Sequence, residues 1–209
     1  WADTNKIKPI DKIDNPLSNE LGQEGKITIL YSGNMGISHD IDSILQAAKI
    51  LKNEENIAFL LIGEGEKWQD AVDFQKDNDL SNLQVLPLQP EENLPYTMAL
   101  ADISLVALDD GAEGLMIPSK MFYYMAAGSA VIGICKGRND VSEIIQNSRC
   151  GVIIEPKNPK ELASIIKDLS KNAERLNELK KLSRKSAVAN FSRDVCTEKL
   201  NRDLLSIIN

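Results

Sequence analysis

Residues 28–36, Thr28-Ile29-Leu30-Tyr31-Ser32-Gly33-Asn34-Met35-Gly36, set an apolar run directly against a glycine-bearing turn. Over residues 40–52 apolar side chains then return at helical spacing. Strand, glycine turn and helix in that order leave backbone N–H groups at the helix start without intrahelical partners. The aligned peptide dipoles add roughly half a positive charge there. The junction therefore predicts a site for phosphate. Gly33 and Gly36 do not complete a GxGxxG pattern and no P-loop lysine follows, so plain turn glycines remain the competing reading.

Outward from this junction the same alternation continues. Strands are predicted at 26–32, 57–62, 83–88, 103–108, 130–135 and 151–155, with nearly continuous apolar cores such as Ala58-Phe59-Leu60-Leu61-Ile62. Such runs suit parallel strands covered on both faces. Helical patterns lie at 40–52, 66–78, 93–101, 119–127, 140–146 and 159–172, followed by two more at 173–190 and 193–208. Asn158 before Pro159, with Glu161 three residues on, forms a capped helix start. The expected fold is α/β: a Rossmann-like, parallel six-stranded sheet with helices on both faces. Ligands of such sheets sit outside the C-terminal strand ends, where Gly33, Gly63, Gly65 and the loop 109–118 fall. Residues 1–25, rich in Pro, Gly and charge, read as a linker; 26–172 form the sheet domain, and 173–209 terminal helices.

Composition narrows the partners. A net charge of −7 over 209 residues, with no basic stripe interleaved with aromatics, argues against nucleic acid. Cys135, Cys150 and Cys196 are widely spaced and form no CxxC, which suits reduced thiols and, for the first two, packing. No apolar run reaches the roughly 18 residues of a membrane span. The chain opens on Trp1 with no Met and reads as an internal piece of a longer protein.

A second junction strengthens the first. The glycine-rich loop 109–118 leaves a buried strand and enters a helix opening on Ser119-Lys120 and closing at Gly128. Ser119 is the expected cap, and the Lys120 ammonium joins two helix starts at one sheet edge to hold a diphosphate. The plainer reading, Ser119 as a cap and Lys120 as a solvated first-turn residue, stays open.

The order and spacing of several short segments carry a resemblance. These are Trp1-Ala2-Asp3, Tyr31-Ser32-Gly33-Asn34-Met35-Gly36, Leu61-Ile62-Gly63-Glu64-Gly65 and Leu86-Pro87-Leu88-Gln89-Pro90. Leu94-Pro95 through Ala99-Leu100-Ala101-Asp102, Pro118-Ser119-Lys120 leading to Met125-Ala126-Ala127-Gly128, and Cys150-Gly151-Val152 complete them. Together they resemble the C-terminal, nucleotide-sugar-binding domain of a retaining GT-B glycosyltransferase. The branch is that of group 1 bacterial polysaccharide enzymes of colanic-acid type.

The resemblance implies that Gly33, Asn34, Met35, Gly36 and His39 lie against the donor diphosphate, and that Leu88, Gln89 and Pro90 flank the nucleobase. It places Glu113, Gly114, Leu115, Met116, Ile117, Pro118 and Ser119 beside the donor sugar and phosphate. Lys120 is then the main cation, with Glu113 as the surviving sugar-binding carboxylate. Three positions depart from the family pattern. Asn34 and His39 stand where many relatives have an Arg and a Lys, and Tyr123 stands where a Glu usually holds the ribose. His39 is either a weak second diphosphate contact or an ordinary exposed first-turn residue.

The implied activity is hexosyl transfer from a UDP- or GDP-sugar to a glycan or lipid-linked acceptor, with retention and no obligatory metal or other cofactor. The acceptor and a catalytic His or Asp would come from a missing N-terminal domain, so this piece alone is expected to be inactive. The last helices would reach back toward that domain with partly exposed apolar faces. Location is expected to be cytoplasmic, with peripheral attachment at the inner membrane through the missing half. The alternatives are a degenerate, non-catalytic nucleotide-binding module, or a GT-B type nucleotide-sugar epimerase, disfavoured by the single histidine.

Overall fold

The computed structural model of the chain describes residues 1–108 and 118–208. Strands β1 (Ile27–Asn34), β2 (Ile57–Glu64), β3 (Leu83–Leu86), β4 (Ile103–Ala107), β5 (Ala130–Ile134) and β6 (Gly151–Ile154) form one sheet. All pairs are parallel, in the order β3-β2-β1-β4-β5-β6. This is the Rossmann-like sheet that the buried apolar runs predict, with the winding reversing between β1 and β4.

Side chains alternate across the sheet, as strand geometry requires. Ile29, Tyr31, Phe59, Leu61, Leu105 and Ile132 enter one core. Helices α2 (Ile41–Ile50), α3 (Trp68–Asp77) and α7 (Pro159–Lys171) cover it. Leu30, Leu60, Ile62, Val106 and Val131 enter the other. There they meet α1 (Pro16–Glu20), α4 (Leu94–Ala99), α5 (Lys120–Ala127), α6 (Asp140–Ser148) and α8 (Ala173–Asn190). Cys135 and Cys150 are buried, in keeping with packing, and burial raises the Cys150 thiol pKa to about 11.

Several element ends differ from expectation for identifiable reasons. β1 and β2 run two residues further than predicted because Gly33 pairs with Gly63. A Cβ on Gly63 would lie 1.9 Å from the Gly33 carbonyl oxygen, so the ladder continues only without side chains there. β3 stops at Leu86 because Pro87 has no N–H to donate. The short α1 lies within residues 1–25 and is opened by Asn15, whose side chain accepts from the Leu17 N–H. Asn15 followed by Pro16 is a helix-start signal that the charge-rich surroundings obscured.

The segment at Ala2 is fastened to residues 191–193. The Ala2 N–H donates to the Phe191 carbonyl, and the Arg193 N–H donates to that of Ala2, both at 3.0 Å. The last helix, α9 (Arg193–Ile208), leaves this junction with Leu200, Leu204, Leu205 and Ile207 exposed. Among the described residues no helix is long and apolar enough to cross a membrane.

Candidate functional site

The site forms where β1 and β4 part. Their pairing joins Ile29 and Leu30 to Ile103 and Ser104, whereas β1 stays paired with β2 through Asn34. Above Leu30, therefore, the β1 backbone groups that face β4 need other partners. Tyr124 of α5 supplies them: its hydroxyl accepts from the Ser32 N–H at 2.8 Å and donates to the Ser32 carbonyl at 3.1 Å. One buried phenol thus ties α5 to the end of β1 and brings the two junctions to one rim.

Lys120 is the first residue of α5, and it reaches over that rim. Its Nζ lies 3.9 Å from the centre of the Tyr31 ring. A Cβ built on Gly33, whose φ is 130°, would sit 3.5 Å from the same nitrogen. The ring is held by the Tyr31 hydroxyl, which donates to the Asn34 carbonyl at 2.6 Å. The ammonium is buried and has no hydrogen-bond partner among the described residues. Burial pushes its pKa down from the ordinary 10.5 to about 7. The solvated first-turn reading of Lys120 is thereby excluded. A cation over an aromatic face gains some stabilisation, but not enough to replace its lost hydration.

His39 is also buried rather than exposed, with its ring edge-on to Tyr31 at 6.4 Å between centroids. Its Nδ1 has no partner among the described residues. Burial, and then the nearby Lys120 charge, hold its pKa below the ordinary histidine value, so it is neutral at pH 7. His39 Nδ1 and Asn34 Nδ2 lie 3.6 and 3.1 Å from where a Gly36 Cβ would be, so Asn34, Gly36 and His39 do converge. Met35 is fully buried in the core beneath them.

Two details alter the expected cradle. α2 starts at Ile41, within one residue of the expected position, and is capped by Asp40, whose carboxylate accepts from Ser43 N–H and from Lys157 N–H. The positive end of α2 is therefore already occupied by a carboxylate. Ser119 does not cap α5. It has helical φ and ψ (−57°, −30°) and makes no side-chain cap bond, because the turn has already begun, with Met121 N–H bonded to the Pro118 carbonyl. What remains at the rim is Lys120 itself and the glycine-lined end of β1.

Beside Ser32 lies a cavity of about 280 Å³ lined by Ile62, Leu88, Gln89, Pro90, Leu94 and Thr97, among others. Leu88 is 57% exposed, an apolar side chain presented to an incoming group. Leu88, Gln89 and Pro90 thus share this cavity with Ser32 near the end of β1. Tyr123, in contrast, is part-buried against the core on the α5 side of the sheet. Pro118 is buried and Ser119 exposed. Glu113, Gly114, Leu115, Met116 and Ile117 lie outside the described residues. Sequence reasoning missed Tyr31 and Tyr124. Tyr31 had a signal, since it sits two residues before Gly33 and so shares its strand face.

A parallel sheet of this order, wound both ways from β1, defines a doubly wound α/β domain. Within that class, the chain belongs to the family of glycosyl transferases group 1, whose model matches residues 15–186. It is 28% identical over 169 residues to the probable glycosyltransferase WbjE of Pseudomonas aeruginosa, covering 81% of this chain and 42% of that protein. It is 26% identical over 170 residues to the putative colanic acid biosynthesis glycosyl transferase WcaI of Escherichia coli (strain K12), covering 80% and 42%. The chain thus spans less than half the length of these curated relatives. The fold is similar to that of Anabaena HepE in complex with UDP, with TM-score 0.81 at 16% identity over 98% of this chain and 56% of that one. HepE in complex with UDP-glucose gives TM-score 0.78 at 17% identity, with the same coverage.

Proposed function

We propose that this chain is the donor-binding half of a sugar transferase acting in bacterial polysaccharide assembly, and that its ligand is a UDP- or GDP-sugar. The observation that carries the reading is the Lys120 ammonium, buried beside Gly33 with no hydrogen-bond partner among the described residues. A buried, unpaired cation is costly, and a diphosphate at this rim would supply the missing counter-charge and acceptor oxygens. In this reading the nucleobase enters the Leu88–Gln89–Pro90 cavity next to Ser32, and the diphosphate crosses the exposed end of β1. Asn34 and neutral His39 donate or accept hydrogen bonds there without adding charge, which leaves Lys120 the main cation.

Transfer begins with breakage of the bond from the sugar's anomeric carbon to the diphosphate. Negative charge then grows on the leaving oxygen, and a preorganised ammonium in a site of low polarity stabilises it more than it stabilises the intact donor. Glu113 and residues 114–119 would face the sugar, and the acceptor with its catalytic His or Asp would come from a second domain. Retention of configuration and independence from metal belong to this proposal, as does inactivity of the piece alone. The binding of UDP and UDP-glucose by the structurally similar HepE supports the ligand class.

Calorimetric titration tests the reading. Saturable binding of UDP or GDP that is lost in Lys120→Met is the expected result. Absence of heat with either nucleotide at millimolar concentration would instead favour a non-catalytic module that has lost its donor. The neutral Asn34 and His39 give that second reading its one specific support.

A further inference from the structure

At the opposite end of the sheet, basic residues gather without enough acid to match them. A cavity of about 530 Å³ lies there, floored by Pro9, Ala101 and Gly128 and walled by α8. Ala101 and Gly128 lie two residues before β4 and β5, so this cleft opens at the N-terminal strand ends, away from Lys120. α8 contributes Lys180, Lys181, Arg184 and Lys185 to its wall, and Asp11 is the one carboxylate among the described lining residues. The whole chain carries a net charge of −7, so this concentration of cations runs against its overall balance.

The imbalance extends beneath the surface. Asp102 accepts from Lys12 Nζ at 2.6 Å and from Lys180 Nζ at 2.7 Å, so two ammoniums share one carboxylate. Burial and the neighbouring Lys180 charge work against the Lys12 ammonium, and its pKa lies below the ordinary lysine value despite the contact with Asp102. Arg184 has neutral partners: it donates to the carbonyls of Thr4, Ile7 and Ala126 at 3.0, 3.0 and 2.7 Å. These bonds lock the guanidinium in place, with donors to spare. Lys181 and Lys185 stand exposed at the mouth.

We infer that this cleft is a second ligand site, separate from the donor rim, for an anion bearing a phosphate or diphosphate group. Fixed positive charge that the protein leaves unmatched is relieved by an anion, and a held guanidinium flanked by ammoniums suits tetrahedral phosphate oxygens. The apolar floor of Pro9, Ala101 and Gly128 receives the carbon part attached to that phosphate. A soluble phosphorylated metabolite and a lipid phosphate headgroup share this chemistry. The inference does not depend on the donor-site reading.

The test uses Lys120→Met as background, so that phosphate binding at the donor rim does not contribute. Thermal unfolding at low salt is followed with inorganic pyrophosphate, and co-sedimentation with vesicles containing phosphatidic acid. A rise in Tm with pyrophosphate identifies a soluble ligand. Sedimentation with the vesicles, without that rise, identifies a lipid headgroup. In either case the added substitutions Lys181→Gln and Lys185→Gln, both at exposed positions, are expected to weaken binding about tenfold. No response to either probe, or a response that the double substitution leaves unchanged, overturns the inference. Failure here leaves UDP binding by the unsubstituted chain untouched, so the two readings fall separately.

Discussion

Lys120→Met is expected to make the unliganded chain more stable while removing its affinity for UDP. The Lys120 ammonium has its pKa lowered from 10.5 to about 7 by burial. The unfolded chain takes up that proton below pH 10.5, and the folded chain only near pH 7. At neutral pH the lysine therefore costs the fold about 4 kcal/mol. Methionine keeps a flexible stem of similar length over Tyr31 without the charge. With some packing lost, a gain of about 2–4 kcal/mol remains. For a domain of this size each kcal/mol shifts Tm by about 2–4 °C. Urea unfolding between pH 6 and 9.5 checks the sign: the advantage of the variant grows as pH falls toward 7 and then levels off. UDP at a hundredfold excess over its Kd should stabilise the unsubstituted chain by about 2.7 kcal/mol and the variant not at all. A variant less stable at pH 7 would mean that the ammonium is satisfied in the fold. A variant that UDP still stabilises would mean that this cation does not face the diphosphate.

Three further outcomes follow from the same geometry. At pH 8 Lys120 is mostly neutral, so binding a diphosphate should take up close to one proton, and at pH 6 almost none; calorimetry in buffers of different ionisation enthalpy reads this directly. Leu88→Ala should weaken UDP binding about tenfold and leave pyrophosphate binding unchanged, because Leu88 lines the cavity beside Ser32 and not the Lys120 rim. Gly63→Ala should destabilise the chain by about 3 kcal/mol or more in urea unfolding, since the added Cβ meets the Gly33 carbonyl at 1.9 Å.

The sheet was legible because its strands are buried on both faces and read as unbroken apolar runs, such as Ala58 to Ile62. Strand ends were less so. The extension of β1 and β2 depends on Gly33 meeting Gly63 from another strand, and glycines read along one strand suggest a turn instead. At the site, Lys120, Gly33 and the Leu88–Pro90 segment were legible from their places after strands. The partners that define their chemistry were not. Tyr124 binds Ser32 across 92 positions of sequence, and Lys120 meets Tyr31 only through tertiary packing. Ser119 misled because a serine before a helix usually caps it, whereas here it is already inside the first turn. His39 misled because its polarity suggests exposure, while the fold buries it against Tyr31. The charge surplus around Lys12, Lys180 and Arg184 draws on residues some 170 positions apart, which no local pattern reveals.

The clasp of Ala2 between Phe191 and Arg193 has a mechanical consequence. The segment at Ala2 and the junction at Phe191 and Arg193 are held at one corner by two hydrogen bonds. A pull on the segment at Trp1 reaches α9 through a single residue, and a swing of α9 reaches Trp1 by the same route. The corner couples the two segments, and the Arg184 bonds to Thr4, Ile7 and Ala126 carry that coupling on into the sheet domain.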